Sequence, residues 1–320
     1  MSILALFGNT VEIAGYVDNA AGHRARTNLV ATVPPEAYFV GSAVFHYLGP
    51  SFAVLLFARV EVLGVAWLRI ASAALIFAIW RRPWRKFLEL DHNGQALIGV
   101  LGAVFAVMNA CFYISIDRLP LATVAAIEFI GPIALAVIGV RIGRNLAAIA
   151  AAAAGVYLLT RVQFAGEPVG VAFAFANAAL FTAYIILAHR IARRSAMGGV
   201  DGLAAAMLCA FVFVSPIGLS GAAHAFADPI ALAAGIGVGV SSSVVPYVFD
   251  QLAMARLPRA TYALFLALLP ATATVIGIIV LRQLPSLVDL AGIALVMIGI
   301  ALHRPDPSDS DRSVAQAASP

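Results

Sequence analysis

The stretch Leu119–Val140, LPLATVAAIEFIGPIALAVIGV, decides how the chain is read. It is long enough for a helical membrane crossing, which takes about 20 apolar residues. It carries one carboxylate, Glu128, among apolar neighbours. A charge near a bilayer centre costs roughly 2.5–3.5 kcal/mol on insertion scales, so such a residue faces a protein interior and is a functional candidate. One other charge sits at similar depth in its segment: Arg69, within VLGVAWLRIASAALIFAIW (Val62–Trp80).

Composition agrees with a membrane setting. Hydrophobic residues make up 62% of the chain and charged residues 11%, against about 45–50% and about 25% in soluble domains. Ten apolar segments follow one another, at 36–57, 60–80, 94–116, 119–140, 145–161, 168–188, 200–221, 229–252, 259–281 and 286–303. The expected fold is all-α: a polytopic membrane protein of ten transmembrane helices. Residues 1–34 read as a cytoplasmic tail and 304–320 as a disordered one. Cys111 and Cys209 fall in apolar segments, and neither suggests a disulfide framework or a metal site.

Orientation follows from the basic residues. With the N-terminus inside, inner segments hold 15 Lys and Arg and outer segments hold four, Arg59, Arg118, Arg161 and Arg282. The positive-inside rule then puts both termini in the cytoplasm. Lysine occurs once, at Lys86, while Ala and Arg are abundant, which suggests a GC-rich bacterial genome and a plasma (inner) membrane.

Arg118-Leu-Pro-Leu-Ala-Thr123 recurs as Arg256-Leu-Pro-Arg-Ala-Thr261, and at the same offset Pro132 matches Pro270 and Gly139 matches Gly277. The copies lie five crossings apart, so they start at opposite faces. This predicts two inverted five-helix repeats, 35–162 and 163–303, as in carriers that expose one midplane site to each side in turn. Gly49-Pro50, Gly131-Pro132, Pro246 and Pro270 interrupt the apolar runs and predict helix breaks, because proline removes a backbone donor.

In this topology Arg69 and Glu128 each lie about seven residues below the outer end of a span, roughly 10 Å deep at 1.5 Å per residue. His46, Tyr47, Asn109 and Tyr113 fall near that level. Arg69 would take a carboxylate through its fork of donors. Glu128 would take an ammonium group or a proton, and a proton would make the cycle an antiport. Alternatively the two charges pair only with each other and hold helices together. His46 also reads as a packed histidine, and Asn109 and Tyr113 as helix-to-helix donors. The repeat partner of Glu128 is Leu266, so the second half lacks the acid.

The stretches GVAWLRIASAALIF (64–77), RRPW (81–84), NACFYISIDRLPLATVAAIEFIGPIALAV (109–137) and VPYVFDQLAMARLPRATYALFLALLPATA (245–273) resemble the EamA-type branch of the drug/metabolite transporter superfamily. Within it they are most similar to the threonine/homoserine exporter group. The resemblance spans 36–303. It implies a ten-helix carrier, not an enzyme, that exports small amino acids or related metabolites on the proton gradient, without a cofactor. The longer N-terminal extension and the aromatic-rich first span depart from the group.

Three other readings fit the sequence less well. A membrane enzyme acting on lipid or prenyl substrates would show DxxxD, HExxH or GxxxxGK[ST], and the sequence has none of them. A scaffold would use GxxxG spacings such as Gly139–Gly143 and Gly235–Gly239, but would leave the buried acid without a purpose. An exporter of a drug-like cation would need Glu128 and have no use for Arg69.

Overall fold

A computed structural model describes residues 33–139, 143–194, 199–254, 257 and 265–302. The two tails and most of the second RLPxAT copy, including Arg256 and Arg259, lie outside the described residues. Within them the chain is helical, with no strand.

The helices, in order, are α1 (Pro35–Leu56), α2 (Val62–Arg81), the short α3 (Trp84–Glu89), α4 (His92–Arg118), α5 (Leu121–Glu128), α6 (Ile130–Gly139), α7 (Gly143–Gly166), α8 (Pro168–Arg194) and α9 (Gly199–Ala222). After a turn come α10 (Pro229–Gly239), a π-helical segment Val240–Val244, α11 (Val245–Met254), α12 (Leu269–Leu281) and α13 (Leu287–Leu302).

Seven helical stretches are long and apolar enough to cross a membrane, and Leu121–Ala134, Leu269–Leu281 and Leu287–Leu302 are shorter apolar helices. The three short ones fall where the sequence predicted the fourth, ninth and tenth crossings. The fourth is interrupted at Phe129, which caps α5. The ninth has a turn at residues 267–268, and its start lies outside the described residues. Large apolar side chains such as Leu75, Ile79, Val107, Val212, Phe213 and Ile279 are exposed, as a lipid-facing surface requires.

Packing follows a simple plan. α2 lies against α9, α4 against α8 and α9, and α1 against α10, α11 and α12. α5 touches α8 and α12, and α7 runs along α13. The α7–α13 seam is closed by small residues: a Cβ on Gly155 would lie 2.5 Å from the Gly292 carbonyl, and one on Gly292 2.9 Å from that of Gly155. Without lipid-excluding pressure between helices, such close backbone approach is what holds a membrane bundle. Of the two GxxxG pairs, Gly235 and Gly239 sit against Leu68 and Ser72 of α2, while nothing lies within 4 Å of a Cβ at Gly143.

Polar contacts mark the two ends of the bundle. At one end Arg59 meets Asp228 at 3.0 Å, Arg118 meets Glu167 at 3.7 Å, and Gln283 Oε1 accepts from the Leu121 N–H. At the other, Arg81 Nε and Lys86 Nζ each donate to Asp201 at 2.6 Å.

Candidate functional site

Between these ends lies a cavity of about 230 Å³, lined by α1, α2, α4, α5, α6, α8, α9, the π-helical segment, α11 and α12. Its lining runs from the level of Arg69 and Glu128 to Phe39, Leu203 and Asp250, near the end where α1 and α9 begin.

The π-helical segment, Val-Ser-Ser-Ser-Val, builds one wall. Pro246 has no N–H to offer the carbonyl four residues earlier, that of Ser242. That carbonyl accepts from Arg69 Nη2 at 3.3 Å, and Ser243 Oγ lies 3.2 Å from Arg69 Nε. Arg69 thus ties α2 to the α10–α11 junction, and its guanidinium carbon also lies 5.6 Å from the centre of the Tyr113 ring. The same rule applies to the other prolines. Pro50, Pro132 and Pro270 stand four residues after His46, Glu128 and Leu266, and these three line the cavity with Ser242.

Gly49-Pro50 differs from expectation: α1 runs unbroken through Pro50. Gly49 is a point of close approach, since a Cβ there would come within 2.8 Å of the Ser242 backbone nitrogen. Pro132 follows the interruption after α5, Pro270 is near the start of α12, and Pro246 follows the π-helical turn. Proline fits the first turn of a helix because its missing donor is not needed there.

Glu128 ends α5, and its Oε1 accepts from Asn177 Nδ2 of α8 at 3.2 Å. The described ion pairs lie at the ends of the bundle, and no pair within 4.0 Å joins Glu128 to Arg69. The two residues face one cavity from different helices and form no ion pair with each other.

His46, Tyr47 and Asn109 also line the cavity. Asn109 Nδ2 is taken by the Phe105 carbonyl of its own helix at 2.8 Å. Tyr113 is fully buried and is not among the lining residues; it packs behind Arg69. Asn177, Ser242 and Ser243 do not stand out in the sequence, although Asn177 is the sole amide in the sixth apolar segment and Ser241–Ser243 is a polar run in the eighth. Three buried side-chain atoms make no well-formed hydrogen bond among the described residues: Tyr113 Oη, Ser242 Oγ and Asn177 Oδ1. Each such atom costs about 1–3 kcal/mol unless something satisfies it.

A larger groove of about 470 Å³ lies between α1 and α10. It is walled by exposed side chains such as Phe52, Leu55 and Ile230. Its one charge, Arg59, is engaged by Asp228, so it offers no comparable chemistry.

Comparison with known proteins bears on what this cavity serves. Residues 168–303 match the EamA-like transporter family. A threonine/homoserine exporter RhtA of Salmonella typhimurium (strain SL1344) is 31% identical over 238 residues, covering 73% of this chain and 79% of that one. The chain belongs to the EamA-like transporter family. The threonine/homoserine exporter RhtA of Escherichia coli (strain K12) is 29% identical over 255 residues, 78% of this chain and 84% of its own. As an EamA-like transporter, the protein is a multi-pass membrane carrier of a small molecule and not an enzyme. Its functional centre is therefore a transport site, and the cavity holding Arg69 and Glu128 is the candidate for it.

Proposed function

We propose that this EamA-like transporter exports small zwitterionic amino acids, threonine- or homoserine-like, from the cytoplasm across a bacterial plasma membrane. One observation carries the reading: Arg69 and Glu128 open into a single small cavity, opposite in sign and not ion-paired. A zwitterion supplies a partner to each. Drug-sized ligands occupy pockets of roughly 300–1,000 Å³, and the cavity here is about 230 Å³. That size favours an amino acid over a bulky cation.

The cycle is alternating access by two inverted five-helix repeats, 35–162 and 163–303. Three features support it. The RLPxAT motif recurs at the start of the fourth and ninth segments. The interruption at Phe129 and the turn at 267–268 fall at equivalent positions. Contacts also repeat when each segment is replaced by the one five later: the α4–α8 contact mirrors that of α1 with α10 and α11, and α1–α12 mirrors α5–α8. Both termini are cytoplasmic on the distribution of basic residues. The cavity then faces the cytoplasm, ready to load substrate for export.

Glu128 is the coupling group. A carboxylate can hold a proton or a substrate ammonium, but not both, and this exclusivity is what antiport requires. The test is purified protein in liposomes with labelled threonine and homoserine and an imposed proton gradient. Gradient-driven flux is expected for the unmodified protein. Glu128→Gln is expected to lose gradient-driven accumulation while keeping some exchange of substrate for substrate. Unchanged gradient-driven flux in Glu128→Gln would remove it from the coupling step.

A further inference from the structure

Among the described residues, the buried side-chain atoms without a well-formed hydrogen bond all lie at the two poles of the cavity. Ser242 Oγ and Tyr113 Oη are on the Arg69 side, and Asn177 Oδ1 is on the Glu128 side. Buried polar atoms are nearly always paired, so an orphan asks what satisfies it. Asn177 and Ser242 are 1% and 4% exposed, and both line the cavity. Tyr113 does not line it, and its hydroxyl neighbours Arg69 and the Ser242 hydroxyl, so Ser242 Oγ can accept from Tyr113 and still offer its own proton.

The chemistry of each orphan matches its neighbour. Asn177 donates to Glu128 through Nδ2, which leaves Oδ1 as an acceptor beside a carboxylate. Two acceptors side by side suit an ammonium, which has three donors and no acceptor. Ser242 Oγ is a hydroxyl beside a guanidinium, and a hydroxyl can donate. Its proton is not spent on its own helix. Ser241 Oγ, one residue earlier, bonds back to the Gly237 carbonyl at 2.7 Å, whereas Ser242 Oγ makes no such bond. Two donor groups side by side suit a carboxylate.

We propose that Asn177 and Ser242 complete a two-pole recognition site, Asn177 Oδ1 with Glu128 for the substrate ammonium and Ser242 Oγ with Arg69 for its carboxylate. The inference rests on the reading of the protein as an amino-acid exporter and adds the residues that set specificity. The transported class must carry both an unblocked amine and a free carboxylate.

The experiment is threonine counterflow in liposomes holding the full chain, with threonine amide and N-acetylthreonine as competitors. Threonine amide lacks the carboxylate, and N-acetylthreonine lacks the ammonium. For the unmodified protein, each analogue is expected to compete about tenfold to a hundredfold more weakly than threonine. Asn177→Leu should raise the threonine KM about tenfold or more and shrink the handicap of N-acetylthreonine, leaving that of the amide. Ser242→Ala should do the converse, and Asn177→Ser, which restores an acceptor, should recover part of the loss. If both variants transport threonine with unchanged KM and unchanged analogue ranking, the assignment is overturned. If a variant does not fold, the unmodified protein still decides: threonine transport with either analogue competing equally well also overturns it. No threonine flux in the unmodified protein would bring down the exporter reading itself.

Discussion

Arg69 carries five N–H donors on a rigid fork, and its Nε and one terminal nitrogen are engaged by Ser243 and the Ser242 carbonyl. What remains is a cation held in place with donors to spare, which is how a carboxylate is bound with little ordering cost. A lysine would keep the charge and lose the fork. Arg69→Lys is therefore expected to raise the threonine KM by about tenfold or more, since hydrogen bonds to charged groups are worth about 1.5–3 kcal/mol. Arg69→Ala is expected to abolish threonine flux. Both are read from initial rates in liposomes, and a normal KM for Arg69→Lys would mean that the fork is not used. Arg69 and Glu128 stood out in the sequence because charge in an apolar run is rare. Asn177 and Ser242 did not, because Ser and Asn in membrane helices commonly bond within the bundle, as Ser72, Asn109 and Ser241 do here.

At the scale of elements, the prolines were visible in the sequence but their effects were not. Pro132 and Pro270 lie beside interruptions, Pro246 follows a π-helical turn, and Pro50 sits inside an unbroken helix. The local rule states only that one donor is missing; whether the helix ends depends on what packs against it. Around Pro50 the packing is tight, and Gly49 is the reason α1 can approach the π-helical segment. Gly49→Ala places a methyl within 2.8 Å of the Ser242 backbone nitrogen, which cannot swing aside like a flexible side chain. Overpacking of this kind costs about 1–3 kcal/mol, so a lower melting temperature in detergent and slower threonine flux are expected. Unchanged melting and flux would show that the two segments separate freely. The start of α10 offers a pH test. Asp228 accepts from the Ile230 and Ala231 N–H groups and from Arg59. Those contacts, the Ala231 N–H foremost, hold its carboxyl below the usual carboxylate range. A lowered carboxyl pKa contributes stability that is present above the unfolded value and fades as pH falls through the folded one. Asp228→Asn should therefore lower the melting temperature at neutral pH, with the gap to the unmodified protein closing in strong acid. A constant gap across that range would separate the effect from titration.

Across the whole molecule, the sequence placed the apolar segments and the two charges, but not the shape of the space between them. A hydropathy pattern reports how much of a helix avoids water, and it does not say which face meets lipid, a neighbour or a cavity. Two of the expected crossings, the fourth and the ninth, are interrupted, at Phe129 and at residues 267–268, which no hydropathy pattern reports. The cavity gives the molecule a direction. Its lining reaches Leu203 and Asp250 at one end and stops at the level of Arg69 and Glu128 toward the other. If the end holding Leu203 and Asp250 opens to the cytoplasm, a cysteine at Leu203 should react with a membrane-impermeant maleimide in inside-out vesicles and stay protected in right-side-out ones. A cysteine at Ser286, an exposed residue near the contact of Gln283 with α5 at the other end of the bundle, should behave in the opposite way. The native Cys111 and Cys209 are replaced by alanine for the measurement. Saturating threonine should slow the reaction at Leu203, because an occupied carrier spends time closed on that side, and should leave Ser286 unaffected. Labelling at Leu203 from the outside alone would reverse the orientation, and with it the claim that this state loads substrate from the cytoplasm.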